Sequence, residues 1–275
     1  MSSFVCGRFH FTLENPLVMG IVNVTPDSFS DGSHFAASER AIEHGLRLRD
    51  EGADILDIGG ESTRPGATPV EAEEELRRVL PVLAGLRDCG VALSIDTMKT
   101  SVMAAALAAG ADMVNDVNAL RAPGALDTVA ASHCGVCLMH MQGTPQTMQQ
   151  EPRYGDVMSE VQEYLHARLE AARNAGIARE RLVWDPGFGF GKTPAHNIAL
   201  FRDLRRFTQV APTLVGISRK SLFGVLTGRP VPERLAASVT AAMLAVMKGA
   251  AIVRVHDVAA TVDALKVLQT LGAEY

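Results

Sequence analysis

Eight short apolar runs punctuate the chain, and each ends in or beside a polar residue able to do chemistry. They begin with LVMGIVN ending at Asn23, ADILDIGGEST reaching Glu61 to Thr63, VALSID ending at Asp96, and DMVND ending at Asn115 and Asp116. GVCLMHM follows with Met139 and His140, then RLVWD with Asp185, TLVGISRKS with Ser218 to Ser221, and AIVRVHD with Arg254 and His256. Helix-like stretches separate them. Strands alternating with helices, each strand carrying its functional group at the carboxyl end, predict a (β/α)8 TIM barrel.

The parity of the runs agrees with that architecture. Side chains two apart on a strand look the same way. Ile252, Arg254 and His256 therefore share a face, as do Ser94 with Asp96, Met113 with Asn115, Val183 with Asp185, and Leu214 with Gly216 and Ser218. Apolar members fill a barrel interior and polar members crown its rim. Upstream, RFHFT (8–12) alternates and predicts a short strand or hairpin that covers the barrel's bottom.

Helix boundaries are marked repeatedly. Ser38 can cap ERAIEHGLRLRDEG, and Thr193-Pro194 places a cap and a first-turn proline before AHNIALFRDLRRF. Gly52-Ala53, Gly110-Ala111 and Gly249-Ala250 each end a helical stretch just before a strand. Pro81, inside VEAEEELRRVLPVLAGLRD, should kink that helix or break it in two. No linker or low-complexity tract divides residues 1–275, so one domain is expected.

Composition changes the picture only by exclusion. A chain of 275 residues is near the ~250 typical of such barrels. It can bury roughly three quarters of its unfolded surface without disulfides or a structural metal. The net charge of −5 comes from interspersed signs with no basic stripe, which argues against a nucleic-acid partner. Cys134 and Cys137 form a lone CxxC, but strand spacing sends them to opposite faces, so they read as core thiols in a reducing compartment. No signal-peptide pattern or membrane-length apolar run is present, and a soluble cytoplasmic protein is expected.

The rim residues narrow the chemistry. Asp96 and Asp185 would enter one mouth beside Asn115, a pair of carboxylates suited to a ligand with adjacent N–H donors. Lys220 adds a cation able to reach a ring carbonyl or nitrogen. Arg254 and His256, one layer apart, resemble an anion clamp, and Asn23 offers a neutral oxygen suited to Mg²⁺ whose other ligands are water and phosphate. A nitrogen heterocycle bearing phosphate fits this set, although a sugar-phosphate barrel would share the residue types. DPGFGFGKT (185–193) fails the phosphate-loop pattern because Pro186 stands where a glycine is required, so Lys192 is expected in solvent. His140 has no apparent partner and reads as a satisfied histidine at the barrel end.

GIVNVTPDSFSDGS (20–33) and GADILDIGGESTRPGA (52–67) resemble the two signatures of the dihydropteroate synthase family. The resemblance continues through SIDT, VNDV, DPGFGFGK, GISRKS and VRVHD, in order and over nearly the whole chain. It implies joining of 4-aminobenzoate to 6-hydroxymethyl-7,8-dihydropterin diphosphate, with release of diphosphate, in folate biosynthesis. By the same resemblance Asp185, Asn115, Lys220 and Asp96 would hold the pterin, walled by Met139, Phe190 and Gly216. Asn23 would touch Mg²⁺, and Arg254, His256 and Thr63 would grip the diphosphate. Asp96, Lys220, Arg254 and His256 would carry the catalysis. Phe29, Thr63, Arg64, Pro65, Phe190, Lys220 and Ser221 would shape the site for 4-aminobenzoate, the ring that sulfonamides imitate. The family also implies a homodimer. Thr25–Ser33 and Ser62–Thr68, rich in Gly, Pro, Ser and Thr, are expected to act as mobile lids. A methyltetrahydrofolate-type pterin methyltransferase and a catalytically silent paralogue are the alternatives; the intact GISRKS, VRVHD, TPDSFSDG and ESTRPG segments argue against them.

Overall fold

The computed structural model describes residues 3–24 and 34–272. A hairpin of β1 (Ser3–Cys6) and β2 (Phe9–Thr12) precedes the barrel, its antiparallel register pairing Ser3 with Thr12 and Cys6 with Phe9. The barrel strands are β3 (Leu17–Asn23), β4 (Ile55–Gly59), β5 (Ala92–Asp96), β6 (Met113–Asp116), β7 (Gly135–Met139), β8 (Leu182–Asp185), β9 (Leu214–Val215) and β10 (Ile252–Val255). They form one parallel sheet in the order β8-β7-β6-β5-β4-β3-β10-β9. Its two edges meet through a bridge between Trp184 and Thr213, which closes the (β/α)8 barrel.

Helices wrap the outside: α1 (His34–Asp50), α2 (Ala72–Leu86), α3 (Thr100–Ala108), α4 (Ala125–Ala130) and α5 (Val157–Asn174). After β8 come α6 (Pro194–Arg202) and α7 (Arg205–Thr208), then α8 (Ser221–Thr227) and α9 (Leu235–Met247) after β9, and α10 (Val258–Leu271) last. The predicted helix–Gly–Ala–strand joints are present, with Gly52 and Gly110 at φ +101° and Gly249 at φ +90°, the left-handed conformation that stops a helix. Thr193 caps α6 as expected, accepting from the His196 amide at 3.2 Å while its own amide donates to His196 Nδ1 at 3.3 Å.

One helix expectation fails, and of the two outcomes expected at Pro81 the break is absent. Ser38 lies inside α1, which begins at His34, so it is a buried interior residue and no cap. Pro81 does not break its helix: α2 runs unbroken from Ala72 to Leu86. Val79, Val82, Leu83 and Leu86 are buried on both sides of the proline, and that apolar seam holds the turn whose hydrogen bond proline cannot donate.

The barrel floor is apolar. Met19, Ile55, Ala92, Met113, Cys137, Val183, Leu214 and Ile252 point inward, and Phe4 and Cys6 of the hairpin pack beneath them. Cys134 faces the outer core instead, so the CxxC residues do lie on opposite faces, and all four cysteines are free. The hairpin is held by Arg8, whose Nε and Nη2 each donate to Asp112 at 2.9 Å. Among the described residues no helix is long and apolar enough to cross a membrane.

Candidate active site

Above the apolar floor the inward positions turn polar. Register pairs Asp57 with Ser94, and Asn23, Gly59, Asp96 and Asn115 in one row across β3 to β6. Met139 pairs with Asp185 across β7 and β8. The polar side chains gather in three groups.

The first group surrounds Arg254, on β10. Its Nε donates to Asp57 Oδ2 at 2.6 Å and its Nη2 to Asp96 Oδ2 at 2.8 Å. Asn115 Nδ2 donates to the same Asp57 oxygen at 3.0 Å. Asp57 is fully buried and its Oδ1 has no hydrogen-bond partner among the described residues. Burial pushes the Asp96 carboxyl up while Arg254 pulls it back. Burial also opposes the Arg254 charge, but Asp57 and Asp96 outweigh it and hold the guanidinium above its usual range. Arg254 thus spends two of its five N–H donors on carboxylates and keeps the rest.

Asp57 was not foreseen. It lies inside the apolar run ILDIG, one layer below the rim, where attention to run ends misses it. Its parity with Ile55 and Gly59 was the available signal.

The second group lies across the mouth. Asp185 Oδ1 accepts from the Gly187 amide at 2.7 Å, and its Oδ2 has no hydrogen-bond partner among the described residues. Burial raises the carboxyl and Lys220 lowers it. Lys220 Nζ donates to the Phe188 carbonyl and sits 4.5 Å from the centre of the Phe190 ring. Burial brings Lys220 down to about 8, against the pull of Asp185. Gly216 fits between the two groups: a Cβ there would meet Asp185 Oδ2 at 3.7 Å and Arg254 at 3.8 Å. Phe190 and Met139 join Met98, Val117, Met141 and Met148 in an apolar cluster.

The loop from Pro186 to Lys192 corrects another expectation. Lys192 is only 2% exposed, its Nζ lying 2.9 Å from His140 Nδ1 and 3.0 Å from the Phe190 carbonyl. Gly187, Gly189 and Gly191 all have positive φ, and a Cβ on Gly187 would run into the His140 carbonyl oxygen. Those turns fold the loop over the lysine, which is why it avoids solvent. Burial pushes Lys192 well below its usual range, and burial with the nearby Lys192 charge takes His140 down to about 2. His140 is thus satisfied, and Lys192 is its partner.

The third group contains His256 and Asn23. His256 Nδ1 lies 3.0 Å from Ser218 Oγ, and burial together with Arg254, Arg219 and Arg64 lowers the imidazole to about 3. Arg219 is held by Asp257, its Nε donating at 3.0 Å. Asn23 and His256 border a cavity of about 870 Å³ also lined by His44 and Arg47 of α1 and by Glu51 just past it. Asn23 is half-buried and its amide makes no hydrogen bond among the described residues. Thr63 is half-buried after β4, whereas Arg64, Pro65 and Ser221 are exposed; Ser221 joins none of the three groups. Phe29 and the segment Thr25–Ser33 lie outside the described residues.

Comparison with known proteins shows the family. The family described as pterin binding enzyme matches residues 19–256. The dihydropteroate synthase of Neisseria meningitidis serogroup B is 53% identical, over 97% of this chain and 96% of its own. A Xanthomonas albilineans dihydropteroate synthase solved with 4-aminobenzoic acid superposes at a TM-score of 0.93, with 54% identity and 99% of each chain covered. A Burkholderia cenocepacia dihydropteroate synthase complexed with 7,8-dihydropteroate gives 0.91 at 53% identity, covering 98% of this chain and 96% of that one.

Proposed function

Since the chain belongs to the pterin-binding enzymes, as one of their dihydropteroate synthases, we propose that its three polar groups divide one substitution reaction among them. The substrates are 6-hydroxymethyl-7,8-dihydropterin diphosphate and 4-aminobenzoate; the products are 7,8-dihydropteroate and diphosphate. The observation that carries the assignment is the Asp185–Lys220 pair: a buried carboxylate with one unspent oxygen beside a lysine under an aromatic wall.

Asp185 Oδ2 accepts from the pterin's amino group or adjacent ring N–H, and Asn115 keeps its carbonyl oxygen for the same ring edge. Lys220 meets the pterin carbonyl side. Met139, Phe190 and Gly216 hold the ring flat. Asp96, tied to Arg254, faces the far edge of the ring. The C–O bond to the diphosphate then breaks, and diphosphate leaves with the electron pair. The ring shares the positive charge left on the CH₂, and the buried carboxylates stabilise it. The amine of 4-aminobenzoate supplies the pair for the new C–N bond and afterwards releases a proton to solvent. That amine is mostly unprotonated at neutral pH, so no strong general base is needed.

At the leaving-group side His256 is neutral and donates one hydrogen bond, while Arg64 and Thr63 add charge and a hydroxyl. Arg254 contributes donors that the two carboxylates leave unused. Asn23 would hold Mg²⁺. Among the described residues no group of three His, Cys, Asp or Glu could enclose a metal, so this single neutral oxygen fits only an ion that draws its other ligands from diphosphate and water. Such an ion would neutralise charge on the leaving diphosphate. Phe29, Thr63, Arg64, Pro65, Phe190 and Ser221 shape the pocket for 4-aminobenzoate.

The protein works as a single-domain cytoplasmic enzyme and pairs as a homodimer. Four free cysteines support a reducing compartment, and exposed Val225, Leu226, Val231 and Leu235 around α8 and α9 support pairing. Diphosphate release from the pterin substrate, followed with and without 4-aminobenzoate, tests the assignment. Release should accompany formation of 7,8-dihydropteroate one for one when 4-aminobenzoate is present. Absence of that product would overturn it.

A further inference from the structure

Beneath the segment that carries Thr63, Arg64 and Pro65 lies a set of charges that the substitution reaction does not use. Glu61, just past β4, accepts from the Val70 amide through Oε1 at 3.0 Å, so one side chain joins the two ends of segment 61–70. Its Oε2 pairs with Lys99 Nζ. The same Nζ lies 2.5 Å from Glu75 Oε2 on α2. Glu75 is fully buried, and its other oxygen has no hydrogen-bond partner among the described residues. Lys99 is therefore the cation that compensates this carboxylate. Arg78, also on α2, donates to the Gly60 carbonyl at 2.9 Å and to Glu74 at 2.8 Å.

Lys99 itself stands three residues past Asp96, at the start of α3, with its amide donating to Thr97 Oγ1 at 3.2 Å. One ammonium thus ties the exit of the strand bearing Asp96 to the base of the loop bearing Arg64. Inside that loop the described hydrogen bonds are few: Ala67 N to Arg64 O at 3.1 Å, and Arg64 N to Ser62 Oγ at 3.4 Å. A segment so weakly bonded within itself takes its position from its base.

We infer that Lys99 is a positioning residue for the second substrate, holding the 62–69 loop at the height where it completes the 4-aminobenzoate pocket. This rests on the reading of that loop as part of the pocket. Removing the ammonium leaves Glu61 and Glu75 facing one another, and their repulsion drives the loop base apart. The pterin groups on β5, β6 and β8 stay where they are, because none of their bonds passes through Lys99.

Lys99→Met, Lys99→Arg and Glu61→Gln are compared in the full-length enzyme by steady-state kinetics and by hydrogen exchange across 62–69. Lys99→Met should raise KM for 4-aminobenzoate about tenfold, the scale of one lost charge-assisted hydrogen bond. KM for the pterin diphosphate should change less than about twofold on the same scale, exchange in 62–69 should quicken, and Lys99→Arg should restore most of both effects. Glu61→Gln, which keeps an acceptor for Val70, serves if Lys99→Met does not fold. An unchanged KM for 4-aminobenzoate together with unchanged exchange overturns the inference. So does an equal rise in both KM values, which marks general damage. Arg64→Ala and Pro65→Ala separate the two readings. If they leave KM for 4-aminobenzoate unchanged, the pocket assignment falls, and exchange at 62–69 alone decides whether Lys99 holds the loop.

Discussion

Replacing Arg254 by methionine removes a guanidinium from between two carboxylates while keeping much of its stem volume. In the wild type Asp57 and Asp96 approach it at 2.6 and 2.8 Å, Asp57 being fully buried. Breaking a buried pair by deleting one partner costs about 3–5 kcal/mol, and here two anions lose the same partner, which places the loss at neutral pH at the upper end. The pH dependence is the sharper signature. Without Arg254, burial and mutual repulsion raise the folded-state pKa of at least one carboxyl. The folded state then binds a proton that the unfolded state does not, so stability falls as pH rises through that raised value. Each proton contributes up to about 1.4 kcal/mol per pH unit. Asp96 already sits at about 7 in the wild type, so the penalty should be largest near pH 8 and shrink by about 1.4 kcal/mol by pH 6. Urea denaturation at intervals between those limits measures it, with the m-value checked for constancy. Asp57→Asn provides the contrast: Arg254 keeps Asp96, so its penalty should be nearly flat with pH. A loss below about 1 kcal/mol for Arg254→Met, or one that does not vary with pH, would refute the claim that this arginine holds the two carboxylates in place.

Asp185→Asn should chiefly weaken pterin binding, since an amide puts a donor where the ligand also donates, whereas Asp96→Asn should lower turnover more than binding. Equal losses of binding with turnover intact would contradict that division. Turnover at low pterin concentration should decline above a pH of about 8, because burial lowers Lys220 to that value and its cation is lost as pH rises through it. Lys220→Arg should flatten this limb, and a decline that persists unchanged in the arginine variant would place the titration elsewhere. Excess EDTA should abolish most activity and Mg²⁺ should restore it; full activity in chelator would remove Asn23 from a metal role.

The barrel and most of its rim could be read from the chain because inward parity and strand ends repeat in the same way at every strand. Asp185, Asn115, Asp96 and Arg254 all announce themselves as polar residues closing an apolar run. Asp57 does not, since it interrupts such a run from within and its partner Arg254 is supplied from the far end of the chain. The burial of Lys192 is not legible in its neighbours because it depends on three successive glycine turns, a property of backbone path and not of local composition. Likewise Ser38 and Pro81 carry the right local signals, but α1 starts upstream of the first and α2 buries apolar residues on either side of the second. The Lys99 bridge joins three separated segments, a juxtaposition that only the folded chain creates.

The N-terminal hairpin has a bearing on how the chain matures. Phe4 is fully buried against Gly135, where even an added Cβ would come within 2.6 Å of its ring, and Arg8 is clasped by Asp112. These contacts bridge more than a hundred residues of sequence. A nascent chain therefore exposes Phe4 until roughly half of the protein has left the ribosome, and such long-range closure slows folding. Fragments ending before β7 should consequently aggregate, whereas the hairpin should lock late, closing the underside of the apolar floor.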